Sequence, residues 1–193
     1  MLDRLADVEM FPLPTAVLVT GLSGACAPDL RTGDVVVGDR VVVPGGPRDG
    51  DGDPELRGRA VRALDAAGLR YRVGPLLTVE EVLSTPAAKA ARWREEGALA
   101  VDMESAHVVA WARRVGLPTV TVRAIADRVE DEVPPDLMDM VGADGRTRPW
   151  AAVGLLARPA LLGAAWRIGR RSHRALESLA RFLRAFLDSS SGP

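Results

Sequence analysis

Thr119-Val120-Thr121-Val122-Arg123-Ala124-Ile125-Ala126-Asp127 is the stretch from which the fold can be read. Its run of apolar and β-branched residues from Thr119 to Ala126 reads as a buried strand. It ends on a single acid, Asp127. Upstream, Val101-Asp102-Met103-Glu104-Ser105-Ala106 opens a helical stretch and places the Glu104 carboxylate at its start. Ligands in open α/β sheets sit beyond the ends of strands, so Glu104 and Asp127 are expected to meet over one substrate.

Working outward, Pro14 to Thr20 is a short Val-rich run that suits a buried strand, and Val35 to Val43 reads as a second strand or a pair of short ones. The segment from Pro44 to Pro54, crowded with Gly, Pro and Asp, is a loop. Pro54 to Ala67 has helical spacing at Leu56, Ala60, Ala63, Leu64 and Ala67, and Gly68 follows as a C-terminal stop. Tyr71 to Val79 is a strand. Thr85-Pro86 caps and begins a helix through Trp93 to Glu96, Ala98 to Met103 is a short strand, and Glu104 to Val115 is a helix stopped by Gly116-Leu117-Pro118. Strands alternating with helices imply an α/β sheet with crossover helices.

The chain has 193 residues and 47% hydrophobic content, enough for one domain with a substantial core. It divides into an α/β core over 1–145, an Arg-rich helical tail over 146–188 and a frayed end over 189–193. The formal net charge of -1 speaks against a general nucleic-acid binder. The charge is nevertheless segregated, because nine arginines between Arg146 and Arg184 face a single acid, Glu177. In the tail, Pro159 separates a short helix near Trp150 to Ala157 from a longer one over Ala160 to Leu187. On the longer helix Arg167, Arg170, Arg174, Glu177, Arg181 and Arg184 fall on one face, with Leu162, Trp166, Leu176, Leu179, Leu183 and Phe186 largely opposite. Such a helix either packs on the sheet or lies on an anionic membrane surface.

Cys26 is the single cysteine, and no Cys/His cluster has metal-ligand spacing, so neither a disulfide nor a metal is expected. A reducing cytosol is the expected home, with peripheral contact at the inner membrane surface as a hypothesis. No run reaches the roughly 20 apolar residues that span a bilayer, and Met1 to Val8 lacks a signal-peptide core. Nearly every basic residue is Arg; Lys89 is the one Lys, a bias that reads as genomic base composition.

The Met103-Glu104 pair, the Arg123-x-x-x-Asp127 strand end and the glycine-rich stretch from Gly21 through Ser23 and Gly24 to Gly33-Asp34 together resemble the nucleoside phosphorylase and nucleosidase family. The resemblance implies a mixed central sheet flanked by helices. It also implies cleavage of an N-glycosidic bond, a step that stabilises an oxocarbenium-like sugar and gives the departing base a proton. Carried onto this chain, Glu104 grips the ribose hydroxyls, Met103 packs on the sugar and Asp127 is the general acid. Gly21, Ser23 and Gly24 form a loop against the ligand, with Arg123 and His107 as further candidates.

For Glu104 and Asp127 the alternatives are structural: a carboxylate favouring a helix start and an acid capping a turn. His107 reads more readily as a packed helix histidine, His173 carries no role, and Cys26 reads as a small buried residue. The residues Val19 and Leu22 stand where family phosphorylases carry an Arg and a hydroxyl for phosphate. Only twenty residues precede Gly21, where family members usually carry a further strand and loop, so either an N-terminally shortened form or a misassigned start site is expected.

Within the family, Leu83-Ser84-Thr85-Pro86-Ala87-Ala88-Lys89, Val133-Pro134-Pro135, Asp144-Gly145-Arg146 and Arg158-Pro159 resemble the hopanoid-associated phosphorylases. That likeness implies removal of adenine from adenosylhopane, a lipid-tailed nucleoside. Two other readings stand beside it: a methylthioadenosine or S-adenosylhomocysteine nucleosidase, and a non-catalytic nucleoside-binding protein. Expected partners are a small nucleoside and further copies of the chain. No cofactor is implied, with inorganic phosphate a candidate co-substrate.

Overall fold

The computed structural model describes residues 14–46, 52–133 and 159–189. Five strands, β1 (Val17–Ala25), β2 (Val35–Val42), β3 (Tyr71–Thr78), β4 (Ala100–Asp102) and β5 (Thr119–Asp127), alternate with helices α1 (Pro54–Ala66), α2 (Pro86–Glu96) and α3 (Ser105–Arg114) before a long C-terminal helix, α4 (Pro159–Asp188). The short helix expected near Trp150 to Ala157, the Asp144-Gly145-Arg146 segment, the stretch from Met1 to Val8 and the end from Ser190 lie outside the described residues.

The sheet is mixed, as the resemblance implied, but it is not open. Its strands close in the order β1-β4-β3-β2-β5. The β1–β5, β2–β3 and β3–β4 pairs are parallel, while β1–β4 and β2–β5 are antiparallel. Register irregularities at Ser23/Gly24 and between Gly38 and Val41 bend β1 and β2, and such bulges give the curvature that closure needs. The three-residue β4 completes the ring between the end of β1 and β3.

Alternation along β2 and β5 sorts the core. Val35, Val37, Val120, Val122 and Ala124 point to one face, where they meet Ala60, Ala63 and Leu64 of α1 and Ala175, Leu179, Phe182 and Phe186 of α4. Val36 and Ile125 point to the other face with Val19, Leu30, Leu76 and Leu99. β5 is buried on both faces as far as Ile125, its Thr119, Thr121 and Arg123 lying as deep as its valines. Thr85 Oγ1 accepts from Ala88 N and Gly68 is left-handed at φ 60°, as the sequence signals predict; in addition Asp53 Oδ1 accepts from Leu56 N at 2.9 Å and Gly97 is left-handed at φ 68°.

Two expectations change. The glycine-rich segment is not a loop: Gly21 to Ala25 is the second half of β1 and pairs with β5 and β4. On α4 the buried stripe is Ala175, Leu179, Phe182 and Phe186, whereas Trp166 is 63% and Leu176 50% exposed. Along its C-terminal half the apolar side of α4 packs on α1 and the outer face of β2 and β5. Among the described residues no helix is long and apolar enough to cross a membrane.

Candidate active site

The ends of β1, β4 and β5 converge on a cavity of about 230 Å³ lined by Ser23, Gly24, Met103, Glu104, Asp127 and Lys89, with Leu22, Val79, Val82, Leu83 and Val133 at its apolar side. That volume lies just under the roughly 300–1,000 Å³ usual for small-molecule sites. Its composition, a few polar groups in an apolar cleft, is what such sites share. A larger groove of about 880 Å³ runs between α4 and the Arg31-Thr32 turn, but it does not contain the paired acids.

Asp127 sits half-buried where β5 ends. Burial pushes its carboxyl above the usual carboxylate range, and the neighbouring Lys89 ammonium opposes that rise. Among the described residues Asp127 caps no turn. That task falls to Asp131, whose Oδ2 accepts from Arg128 N at 2.9 Å and whose Oδ1 meets Arg171 of α4 at 2.9 Å.

Glu104 occupies the N-cap position of α3, but its side chain makes no capping bond there. Asp102 does that work. Its Oδ1 accepts from Ser105 N at 3.0 Å, Glu104 N at 3.2 Å and Thr78 Oγ1 at 2.9 Å, and its Oδ2 meets Arg123 Nε at 2.8 Å and the Ser105 hydroxyl. The Glu104 carboxylate is left 67% exposed at the cavity edge, loosely held by Arg123 Nη2 at 3.5 Å, and Met103 beside it is 40% exposed. Both are open to a ligand. Ser23 also faces the cavity, and its buried hydroxyl meets no hydrogen-bond partner among the described residues; a buried hydroxyl in that state is one that a ligand can satisfy.

Three expected site residues are placed elsewhere. Arg123 is only 4% exposed, and its guanidinium is held by Asp102 and by Ser105 Oγ at 2.9 and 3.1 Å, so it braces the start of α3 from within the core. Gly21 serves that packing, because a Cβ there would collide with Nη1 of Arg123. His107 is exposed on α3 and does not line the cavity. Gly24 stays at the site: a Cβ there would come within 3.1 Å of Asp127 Oδ2, so its bareness makes room for the acid. Cys26 is buried, which pushes its thiol up to about 12 and leaves it inert as a nucleophile.

Lys89 and Asp102 are the residues that sequence reasoning missed. Asp102 stood inside the quoted motif. Lys89 stood out as the one lysine in a chain of arginines, and its 1% exposure shows a built position rather than a compositional accident.

A family model described as the phosphorylase superfamily matches residues 8–148. The chain is 30% identical over 138 residues to the 5'-methylthioadenosine/S-adenosylhomocysteine nucleosidase of Geobacillus thermodenitrificans, an alignment covering 62% of this chain and 58% of that protein. It is also 30% identical over 138 residues to the enzyme of the same name from a Marinomonas species, covering 63% and 60%. The chain thus spans under two thirds of the length of these curated relatives. Among solved structures, the Helicobacter pylori 5'-methylthioadenosine/S-adenosyl homocysteine nucleosidase superposes with a TM-score of 0.69 at 17% identity, over 97% of this chain and 74% of that one. The futalosine hydrolase of Helicobacter pylori gives the same score and identity over 97% and 73%. These structural likenesses carry the fold. The family match covers most of the chain, and the chain belongs to the phosphorylase superfamily.

Proposed function

We propose that this member of the phosphorylase superfamily cleaves the N-glycosidic bond of an adenine nucleoside of the methylthioadenosine or S-adenosylhomocysteine type, with water as acceptor. The observation that carries this reading is the meeting of Asp127, Glu104, Met103 and Ser23 around one small cavity. Asp127, its proton affinity raised by burial, protonates the departing purine. Glu104 accepts hydrogen bonds from the ribose hydroxyls, and those bonds strengthen as the sugar becomes oxocarbenium-like. Met103 packs on the sugar.

Water is favoured over phosphate by what stands near the ligand space. Val19 is packed in the core and Leu22 lines the cavity. Among the described residues the one cation lining the cavity, Lys89, is engaged by Asp127, and Arg123 is engaged by Asp102. A phosphate would have no free cation there among the described residues.

The nucleosidase relatives favour this substrate class over adenosylhopane, the first expectation from the sequence. A lipid-tailed nucleoside remains the second reading because Val82, 37% exposed, joins Leu83 and Val133 in an apolar flank of the cavity. Peripheral membrane contact through α4 belongs with that reading, supported by the exposed Trp166 beside Arg167, Arg170 and Arg174. Adenine release from methylthioadenosine and from a 5'-alkylated adenosine, each with and without phosphate, tests both. Phosphate-independent release favouring methylthioadenosine is expected; phosphate-dependent release favouring the alkylated substrate would replace the first reading with the second.

A further inference from the structure

Lys89 enters the site from α2, far along the chain from β1 and β5, which carry Ser23, Gly24 and Asp127. It sits in the first turn of that helix, which Thr85 caps, and its side chain is 1% exposed. A lysine ammonium buried this completely is costly unless each of its protons is met. Here each is. Nζ donates to Asp127 Oδ2, to Arg128 O at 3.1 Å and to Asp131 O at 2.8 Å.

Three oxygens converging on one point suit a tetrahedral ammonium and not a planar, forked guanidinium. In a chain that uses Arg almost everywhere else, the single Lys stands where only Lys fits. The three acceptors all lie on the turn that leaves β5, so the ammonium both clamps that turn and holds one oxygen of the acid. The other oxygen, Oδ1, meets no donor among the described residues.

We propose that Lys89 is the positioning residue of this site: it fixes Asp127 through Oδ2, presents Oδ1 to the ligand, and sets the pH at which the acid gives up its proton. A fixed cation beside a carboxylate stabilises the ionised form. Burial and Lys89 therefore pull Asp127 in opposite directions, and the pair lets a desolvated acid return to its carboxylate after each proton transfer. The titratable and charged groups around Asp127 are Lys89 from α2, Asp131 on the same turn, Arg171 reaching over from α4, and the buried Cys26 thiol, which stays protonated and uncharged. Arg171 lies against Asp131, so these two largely offset one another and leave Lys89 as the unbalanced charge.

The catalytic meaning of this inference rests on the proposed cleavage, but the pairing itself is testable without it. Because Lys89 is the only lysine, protein grown with lysine labelled with nitrogen-15 at Nζ has a single side-chain signal. That signal is expected as a slowly exchanging ammonium whose shift follows the titration of Asp127, and Asp127→Asn is expected to abolish the pH response and speed proton exchange. A fast-exchanging signal at the free-lysine position, unchanged by Asp127→Asn, overturns the proposal.

The second arm is the pH profile of adenine release from methylthioadenosine for Lys89→Met and Lys89→Arg. Without the cation the alkaline limb is expected to move up by about 1 to 3 pH units, the usual influence of one close opposite charge on a carboxyl. Arg should return the limb towards its original place at reduced rate. A Lys89→Met enzyme that is slower at every pH with its limb unmoved would reduce Lys89 to a structural part and overturn the proposal. If the unaltered chain releases no adenine, the cleavage reading fails, while the nitrogen-15 signal still decides the pairing. The same signal decides it if Lys89→Met does not fold.

Discussion

Replacing Asp102 by Asn removes one charge from the best-connected carboxylate of the chain and keeps its size. The Asp102 side chain is fully buried and accepts from Thr78, Ser105, Glu104 and Arg123. In Asn only one of the two terminal atoms can accept. If it stays towards Thr78 and the backbone of Ser105, the amide donor confronts Arg123 Nε and the Ser105 hydroxyl; if it flips, two backbone donors and Thr78 lose their acceptor. In either orientation Arg123 keeps its charge inside the core, and its remaining anionic partner among the described residues is the exposed Glu104 at 3.5 Å. Breaking a buried pair from one side costs about 3–5 kcal/mol. At about 2–4 °C per kcal/mol for a chain of this size, Tm should fall by roughly 6 to 20 °C. Thermal and urea unfolding followed by circular dichroism measure this. Glu104→Gln, at the exposed end of the same guanidinium, is the control and should cost no more than about 1 kcal/mol. The reasoning is refuted if Asp102→Asn stays within about 1 kcal/mol of the parent, or if Glu104→Gln costs as much.

Gly21→Ala should force Arg123 out of place and cost about 1–3 kcal/mol by overpacking, read from the urea midpoint at unchanged slope. The adenine-release rate should fall as pH rises through the raised pKa of Asp127, because the acid must hold its proton to give it up; a rate that rises across that window would remove Asp127 from the role of acid. Between its ordinary value of 3.8 and its raised folded value, Asp127 binds its proton more tightly in the folded chain. Its contribution to stability therefore declines as pH rises through that window. Cys26, buried with its thiol pushed up to about 12, should react with an aromatic disulfide reagent at pH 8 only after denaturation, measured as thiolate released before and after adding guanidinium.

Local chemistry made most of the secondary structure readable. Thr85 before Pro86 marks a helix start, Gly68 and Gly116 mark helix ends, and a run rich in β-branched residues marks β5, because each signal acts within a few residues. Closure of the sheet was not readable. It depends on three-residue β4 pairing with both β1 and β3 and on bulges whose sequences look like ordinary strand or loop. The Gly21 to Gly24 segment looked like a ligand loop for the same reason: small residues suit a loop, but here they clear space for Arg123 and Asp127 within a strand.

At the site, Glu104, Met103, Ser23 and Asp127 were visible as motif residues, and the cavity gathers all four. The partners that govern them were harder to see. Asp127 meets Lys89 from 38 residues away, and no local pattern encodes that contact. The isolated lysine was the available signal. Arg123 looked like a ligand contact because it opens the Arg-x-x-x-Asp motif, and the position of Asp102 shows that its charge is neutralised inside the core.

The most direct test of the account is adenine release from methylthioadenosine, without phosphate, by the full chain and by its Asp127→Asn variant, each first shown to be folded. The account predicts release by the parent and a loss of about 10²–10⁴-fold in kcat, the usual contribution of a positioned general acid, with nucleoside binding retained through Glu104 and Met103. Equal turnover by the folded Asp127→Asn variant would contradict it.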